Sequence, residues 1–233
     1  MNSVPRLLAI TDCRLLSLRR FFSLLELFCK NGLPAIQLRE RELRFDLFKK
    51  WAEKVVPITK KYETRLYINL GNGPDAADRL RLATDLGATG VQLPEGGLSI
   101  QEVREISTTL EIGLSVHQSV LNFLEWDERP DFVVAAPIWI PFDKSRQPLG
   151  LNSFSKICEN VPAPVIGLGG ITPESAREVF QAGGAGVAVR SGLWLAGNPR
   201  SSLEAYVRAV EEKTVTDGRP SDITPGVLHE SIA

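Results

Sequence analysis

The chain has 233 residues, of which 24% are charged, and its 27 Lys and Arg against 28 Asp and Glu give a formal net charge of −1. So even a balance supplies no global field for nucleic acid or for an anionic membrane surface, and any anion must be held locally. Three cysteines without CxxC spacing and only two histidines exclude a disulfide framework, a thiolate zinc site and a polyhistidine metal centre, and they suit a cytoplasmic protein with reduced thiols.

Short runs rich in Val, Ile and Leu recur along the chain, each followed by an amphipathic stretch of helical length, which is the pattern of repeated βα units. In chain order the expected strands are residues 7–11, 35–38, 66–69, 90–93, 112–116, 132–136, 165–168 and 186–189. Helical patterns cover 18–30, 45–61, 74–86, 100–108, 173–182 and 202–213. Eight such units in about 210 residues suit a closed barrel better than an open sheet, so the expected fold is α/β, a single (βα)8 TIM barrel over residues 1–213. From Thr214 to Ala233 the composition turns to Thr, Asp, Gly, Pro and Ser without periodicity and reads as a flexible tail. No apolar run reaches the roughly eighteen residues of a membrane span, and the N-terminus lacks a secretory pattern.

In such a barrel the reacting groups sit at the C-terminal ends of the strands. Gln37-Leu-Arg39-Glu-Arg41 alternates polar and apolar residues there, so Gln37, Arg39 and Arg41 are expected to face one side, with Glu40 and Glu42 turned away to pair with helix residues. A guanidinium in the mouth suits a carboxylate or phosphate; the competing reading is a surface ion-pair cluster with the two glutamates. Asn69 closes the third strand. Ser115-Val-His117 ends the fifth, and His117 is either a proton-transfer group or a hydrogen-bonded structural residue. The loop from Pro137 to Gly150 carries Trp139, Phe142, Lys144 and Arg146, a content suited to covering a ring and meeting an anion, although a loop packed for stability alone has the same length.

The densest signal is Pro164-Val-Ile-Gly-Leu-Gly-Gly-Ile-Thr-Pro173. A strand runs into Gly169-Gly170, where backbone N–H groups can approach a ligand, and Thr172-Pro173 opens a helix as N-cap and first-turn residue. A second strand ends in Arg190-Ser191. Together Gly169, Gly170, Arg190 and Ser191 are expected to form phosphate-binding loops after strands seven and eight.

In this order and spacing, Ala9-Ile-Thr-Asp12, Gln37-Leu-Arg-Glu40, Gly113-Leu-Ser-Val-His117, Asp131-Phe-Val-Val-Ala-Ala-Pro-Ile138, Pro148-Leu-Gly150, the glycine segment and Val189-Arg-Ser-Gly192 resemble the thiamine phosphate synthase and TenI superfamily. For its synthase branch the resemblance implies two aspartates, after strands three and four, that hold magnesium on a pyrimidine pyrophosphate. Here Leu70 and Gly97 stand in their places. The TenI branch carries Val-Gln-Leu-Pro and Ser-Val-His, as do Val91-Gln-Leu-Pro94 and Ser115-Val-His117. The resemblance therefore implies a thiazole tautomerase of thiamine biosynthesis, an isomerase that needs no metal or other cofactor. Its partner would be a small phosphorylated thiazole, with no nucleic acid or membrane, and a homo-oligomer is open. Gln37, Arg39, Arg41, Asn69, Ser115 and Lys144 would line the substrate site, Arg39 meeting the carboxylate; His117 would move the proton; the glycine segment with Arg190 and Ser191 would hold the phosphate. Two alternatives stand beside it. One is a thiamine phosphate synthase joining hydroxymethylpyrimidine pyrophosphate to thiazole phosphate, with Mg²⁺ on Glu95 or another group; the other is a catalytically idle barrel that binds a phosphorylated ligand.

Overall fold

The computed structural model of the protein describes residues 4–117, 128–140 and 147–211. Eight parallel strands close on themselves in chain order: β1 (Leu7–Ile10), β2 (Ala35–Leu38), β3 (Arg65–Asn69), β4 (Gly90–Leu93), β5 (Glu111–Val116), β6 (Phe132–Ala135), β7 (Val165–Leu168) and β8 (Gly186–Val189). Each pairs with its neighbours, and β8 returns to β1 with Leu8 beside Ala188. Among the described residues the helices are α1 (Leu18–Lys30), α2 (Phe45–Lys61), α3 (Ala76–Asp85), α4 (Ile100–Ile106), α5 (Gly150–Asn160), α6 (Pro173–Gln181), α7 (Ser191–Trp194) and α8 (Pro199–Glu211), with a 3-10 turn over Cys13–Leu15. The expected strands are all present, with ends that differ by one residue at most. Thr172 caps α6 through its side chain, with Pro173 in the first turn as the sequence implies. The expected tail from residue 214 and the loop residues Phe142, Lys144 and Arg146 lie outside the described residues.

Strand parity divides the apolar residues into two bodies. Leu7, Ala9, Ile36, Leu38, Ile68, Val91, Val133, Val187 and Val189 point outward into the shell beneath the helices, where Phe21, Trp51 and Trp194 stack. Leu8, Ala35, Tyr67, Phe132 and Ile166 point inward and fill the barrel. Tyr67 and Phe132 meet edge to face at 5.3 Å, and the Tyr67 hydroxyl donates to Glu111 Oε2 at 2.7 Å. The lower interior is therefore plugged, and a ligand has room only at the other end.

Two hydrogen bonds fasten the last helices to that end. The Trp194 indole donates to the Ile10 carbonyl at 2.7 Å, and the Tyr206 hydroxyl donates to the Ile171 carbonyl at 2.8 Å. No helix of the described residues is long and apolar enough to cross a membrane.

Candidate active site

The inward rows that are apolar low in the barrel become polar at its C-terminal end. Ala35 is followed by Gln37 and Arg39, Tyr67 by Asn69, Gly113 by Ser115 and His117, Ile166 by Leu168 and Gly170, and Ala188 by Arg190. A period of two carries each row upward, so these side chains converge on one mouth. It is a cavity of about 940 Å³, a volume suited to small-molecule ligands. Gln37, Arg39, Arg41, Asn69, Ser115, His117, Gly169, Gly170, Arg190 and Ser191 all line it, so of the expected site residues only Lys144 falls outside the description.

On the β2–β3 wall, the Asn69 amide donates to Gln37 Oε1 at 3.1 Å while Asn69 Oδ1 accepts from the Gly71 N–H at 3.2 Å. The Gln37 NH₂ is left without an acceptor among the described residues. Gln92 donates to Ser115 Oγ at 3.0 Å, leaving the Ser115 proton to donate elsewhere. Across β4 and β5, His117 Nδ1 lies 2.8 Å from Glu95 Oε2. A carboxylate only accepts, so Nδ1 carries the proton and Nε2 is the remaining ring nitrogen.

The arginine corner is built on β8, β1 and β2. Asp12, 7% exposed, accepts at Oδ1 from the Arg14 backbone and Nε and at Oδ2 from Arg14 Nη2 and Arg190 Nη1, the last at 3.1 Å. Burial pushes the Asp12 carboxyl up, but the Arg14 hydrogen bonds and the charges of Arg14 and Arg190 outweigh it and hold the group below its usual range. Arg39 is half-buried, and its backbone N–H donates to Thr11 Oγ1 at 2.9 Å. Glu40 does face away from the mouth, but its carboxylate is buried rather than paired with a surface cation. Oε2 accepts from the Cys13 N–H at 2.6 Å, because the 3-10 turn folds over that side of β2. Glu42 stands 3.7 Å from Arg14. The loop that carries Arg41 is pinned from beneath by Arg79, a buried residue over the Phe48 ring that donates to the carbonyls of Glu40 and Leu43.

The glycine segment carries a packing constraint beyond its expected N–H groups. A Cβ on Gly169 would lie 2.7 Å from Pro137 Cβ, and one on Gly170 2.8 Å from Trp139 Cβ, with φ at +108° and +65°. Glycine is thus required because the segment packs under the residues after β6, through bonds from the Ile138 N–H to Leu168 O and the Trp139 N–H to Gly169 O. The N–H groups of Gly170 and Ile171 donate to no acceptor among the described residues. They are suited to an anion at the cavity wall.

Magnesium, which the family resemblance implies for the synthases, needs oxygen donors. The side chain at position 70 is a fully buried leucine, and Gly97 has none. Glu95 is engaged by His117 and Asp12 by two guanidinium groups. Among the described residues no cluster of three or more His, Cys, Asp or Glu is arranged to hold a metal. These residues do not fit the ion.

The sequence reading passes over three contributors. Asp12 appears there only within the Ala9-Ile-Thr-Asp12 segment, with no role given, and its pairing with Arg14 and Arg190 is seen only in the fold. Arg79 sits on α3 in a window that reads as an ordinary amphipathic helix, and Tyr206 lines the cavity from α8, where nothing in the sequence indicates it.

Fold and site together define an eightfold βα barrel with one arginine-rich, glycine-walled mouth. Residues 7–193 match the family model described as thiamine monophosphate synthase. The chain belongs to that family. A protein named thiamine-phosphate synthase in Nitrosococcus oceani is 29% identical over 208 residues, covering 88% of this chain and 92% of that protein. Its namesake in Pyrococcus furiosus is 30% identical over 185 residues, covering 78% of this chain and 85% of that one. The structure of thiamine phosphate pyrophosphorylase from Pyrococcus furiosus superposes with a TM-score of 0.75 at 29% identity, covering 89% of this chain and 96% of that chain.

These likenesses correct the expected tautomerase. The relatives carry the name of a transferase rather than an isomerase, and the similarity runs nearly the full length of the barrel. The isomerase expectation rested on the replacements at positions 70 and 97 together with the Val91–Pro94 and Ser115–His117 segments, and these local signals are outweighed by the likeness over the whole barrel.

Proposed function

We propose that the chain is a transferase of the thiamine-phosphate synthase kind, joining hydroxymethylpyrimidine pyrophosphate to a thiazole phosphate. The ring nitrogen of the thiazole forms a bond to the pyrimidine methylene carbon, the bond from that carbon to the pyrophosphate oxygen breaks, and pyrophosphate leaves with the electron pair. One observation carries the reading: a single cavity holds both a guanidinium corner, Arg39, Arg41 and Arg190, and a glycine wall with undonated N–H groups at Gly170 and Ile171. Two phosphorylated substrates need two anion grips in one enclosure, and bringing the reactants together in it is most of what such a displacement asks of a protein.

In this reading Gly170, Ile171 and Ser191 hold the thiazole phosphate, and the arginines hold the pyrophosphate, where negative charge accumulates as the bond breaks. Gln37 and Ser115 offer an N–H and an O–H to the pyrimidine. The displacement moves no proton that His117 must carry, so His117, fixed by Glu95, serves to position a ring. The family match and the synthase names of relatives at 29–30% identity support the reaction class.

Expression of the chain in a bacterial strain lacking its own thiamine-phosphate synthase tests this. Growth without added thiamine is the expected result. Failure to grow, with the protein present and folded, would overturn the assignment.

A further inference from the structure

The condensation reading raises a question of charge. The pyrophosphate end of one substrate is a polyanion, and it must be neutralised both when it binds and when it leaves. Among the described residues, the ionisable cation and carboxylate side chains lining the cavity are Arg39, Arg41, Arg190, His117 and Glu95. Three are guanidinium groups and one is a carboxylate, whose Oε2 is already taken by the His117 ring. Asp12, beneath the corner, uses both oxygens on Arg14 and Arg190. A divalent cation entering here would meet three guanidinium groups on one side and, on the other, a single carboxylate already bonded to the His117 ring. A polyanion would meet the reverse.

Arg39 carries this furthest. Its guanidinium has no hydrogen-bond or ion-pair partner among the described residues, while its backbone is fixed through Thr11. Burial, and then the charges of Arg41 and Arg190, push its pKa down to about 10, with Asp12 offsetting only part of that. It is still a cation at neutral pH, held beside other cations, which is the environment that an incoming anion relieves.

We infer that guanidinium groups, Arg39 foremost with Arg41 and Arg190 beside it, hold the pyrophosphate group in this chain without a divalent cation carried on protein carboxylates. The inference rests on the condensation reading and concerns how its charge is balanced. With Leu70 and Gly97 in the places of the synthase aspartates, the Arg39 guanidinium, part of the Gln37-Leu-Arg-Glu40 segment shared with the superfamily, meets the pyrophosphate with no protein-held divalent cation beside it.

Calorimetric titration of the full chain with inorganic pyrophosphate, once in EDTA and once with excess magnesium, tests it. Affinity in EDTA is expected to match or exceed that with magnesium, within about threefold. Arg39→Gln, which removes no internal side-chain bond, is expected to weaken binding in EDTA by about tenfold or more, and Arg39→Lys to restore part of the loss as a point charge without the fork. Binding that requires magnesium, or wild-type affinity in Arg39→Gln with the lysine variant likewise unchanged, would overturn it. The two readings separate in a condensation assay. Product formed only with magnesium would sink this inference and leave the synthase standing, whereas Arg39-dependent pyrophosphate binding in EDTA with no condensation under any condition would do the opposite.

Discussion

Gly170→Leu is expected to lower affinity for thiazole phosphate by about a hundredfold while the barrel stays folded. At φ +65° a side chain is strained, and its Cβ would stand 2.8 Å from Trp139 Cβ and 3.3 Å from Ile140 O. The strain is about 1–2 kcal/mol, and the contact adds to it, so the segment shifts rather than accommodates. The shift carries the N–H groups of Gly170 and Ile171 with it. Hydrogen bonds to a charged acceptor are worth about 1.5–3 kcal/mol each, so losing two at the lower value gives the hundredfold. Calorimetry with thiazole phosphate and a thermal melt check both halves. An unchanged affinity in a folded variant removes the glycine wall from the site.

The second large effect belongs to Asp12. It joins β1 to β8 through Arg190, whose side chain is 12% exposed, and to Arg14, whose side chain is 56% exposed. Breaking a buried pair costs about 3–5 kcal/mol because a charge is left alone; the exposure of Arg14 discounts this, so Asp12→Asn is expected to destabilise by about 2–4 kcal/mol. For a chain of this size that is a fall in Tm of roughly 5–15 °C. The carboxyl is held below its ordinary value of 3.8, so its contribution is fully present above that pH and is lost as pH falls through the lower folded value. Wild type and Asp12→Asn should therefore differ by a constant amount in urea melts from neutrality down to about pH 4 and converge below it. A gap that persists unchanged in stronger acid would contradict the assignment of that stability to the Asp12 charge.

The barrel was legible because its strands are short β-branched runs at regular intervals, each ended by a polar residue where the chain leaves the sheet. The inward row of the mouth was legible from the same parity: Gln37, Arg39 and Arg41 read as one side, and they do line one cavity. Contacts between distant residues were not. Asp12 and Arg190 are 178 positions apart and become neighbours only because β8 closes on β1. Glu95 and His117 meet across adjacent strand ends, 22 positions apart. Helix α5 gave no start signal, since its N-cap is Leu149, with no side-chain cap, and it follows a loop rich in turn residues. The glycines were recognised, but the packing of Pro137 and Trp139 against them was not, because it is a tertiary fact. The isomerase expectation leaned on a local signal, the absence of two aspartates at positions 70 and 97, whereas the likeness to the synthases runs nearly the whole length of the barrel.

The most direct measurement is release of pyrophosphate by the purified chain, followed with each substrate alone and with both together. A synthase releases one pyrophosphate for each thiamine phosphate formed, only when hydroxymethylpyrimidine pyrophosphate and thiazole phosphate are both present. Release that needs no thiazole phosphate, or none at all with both substrates bound, would contradict it.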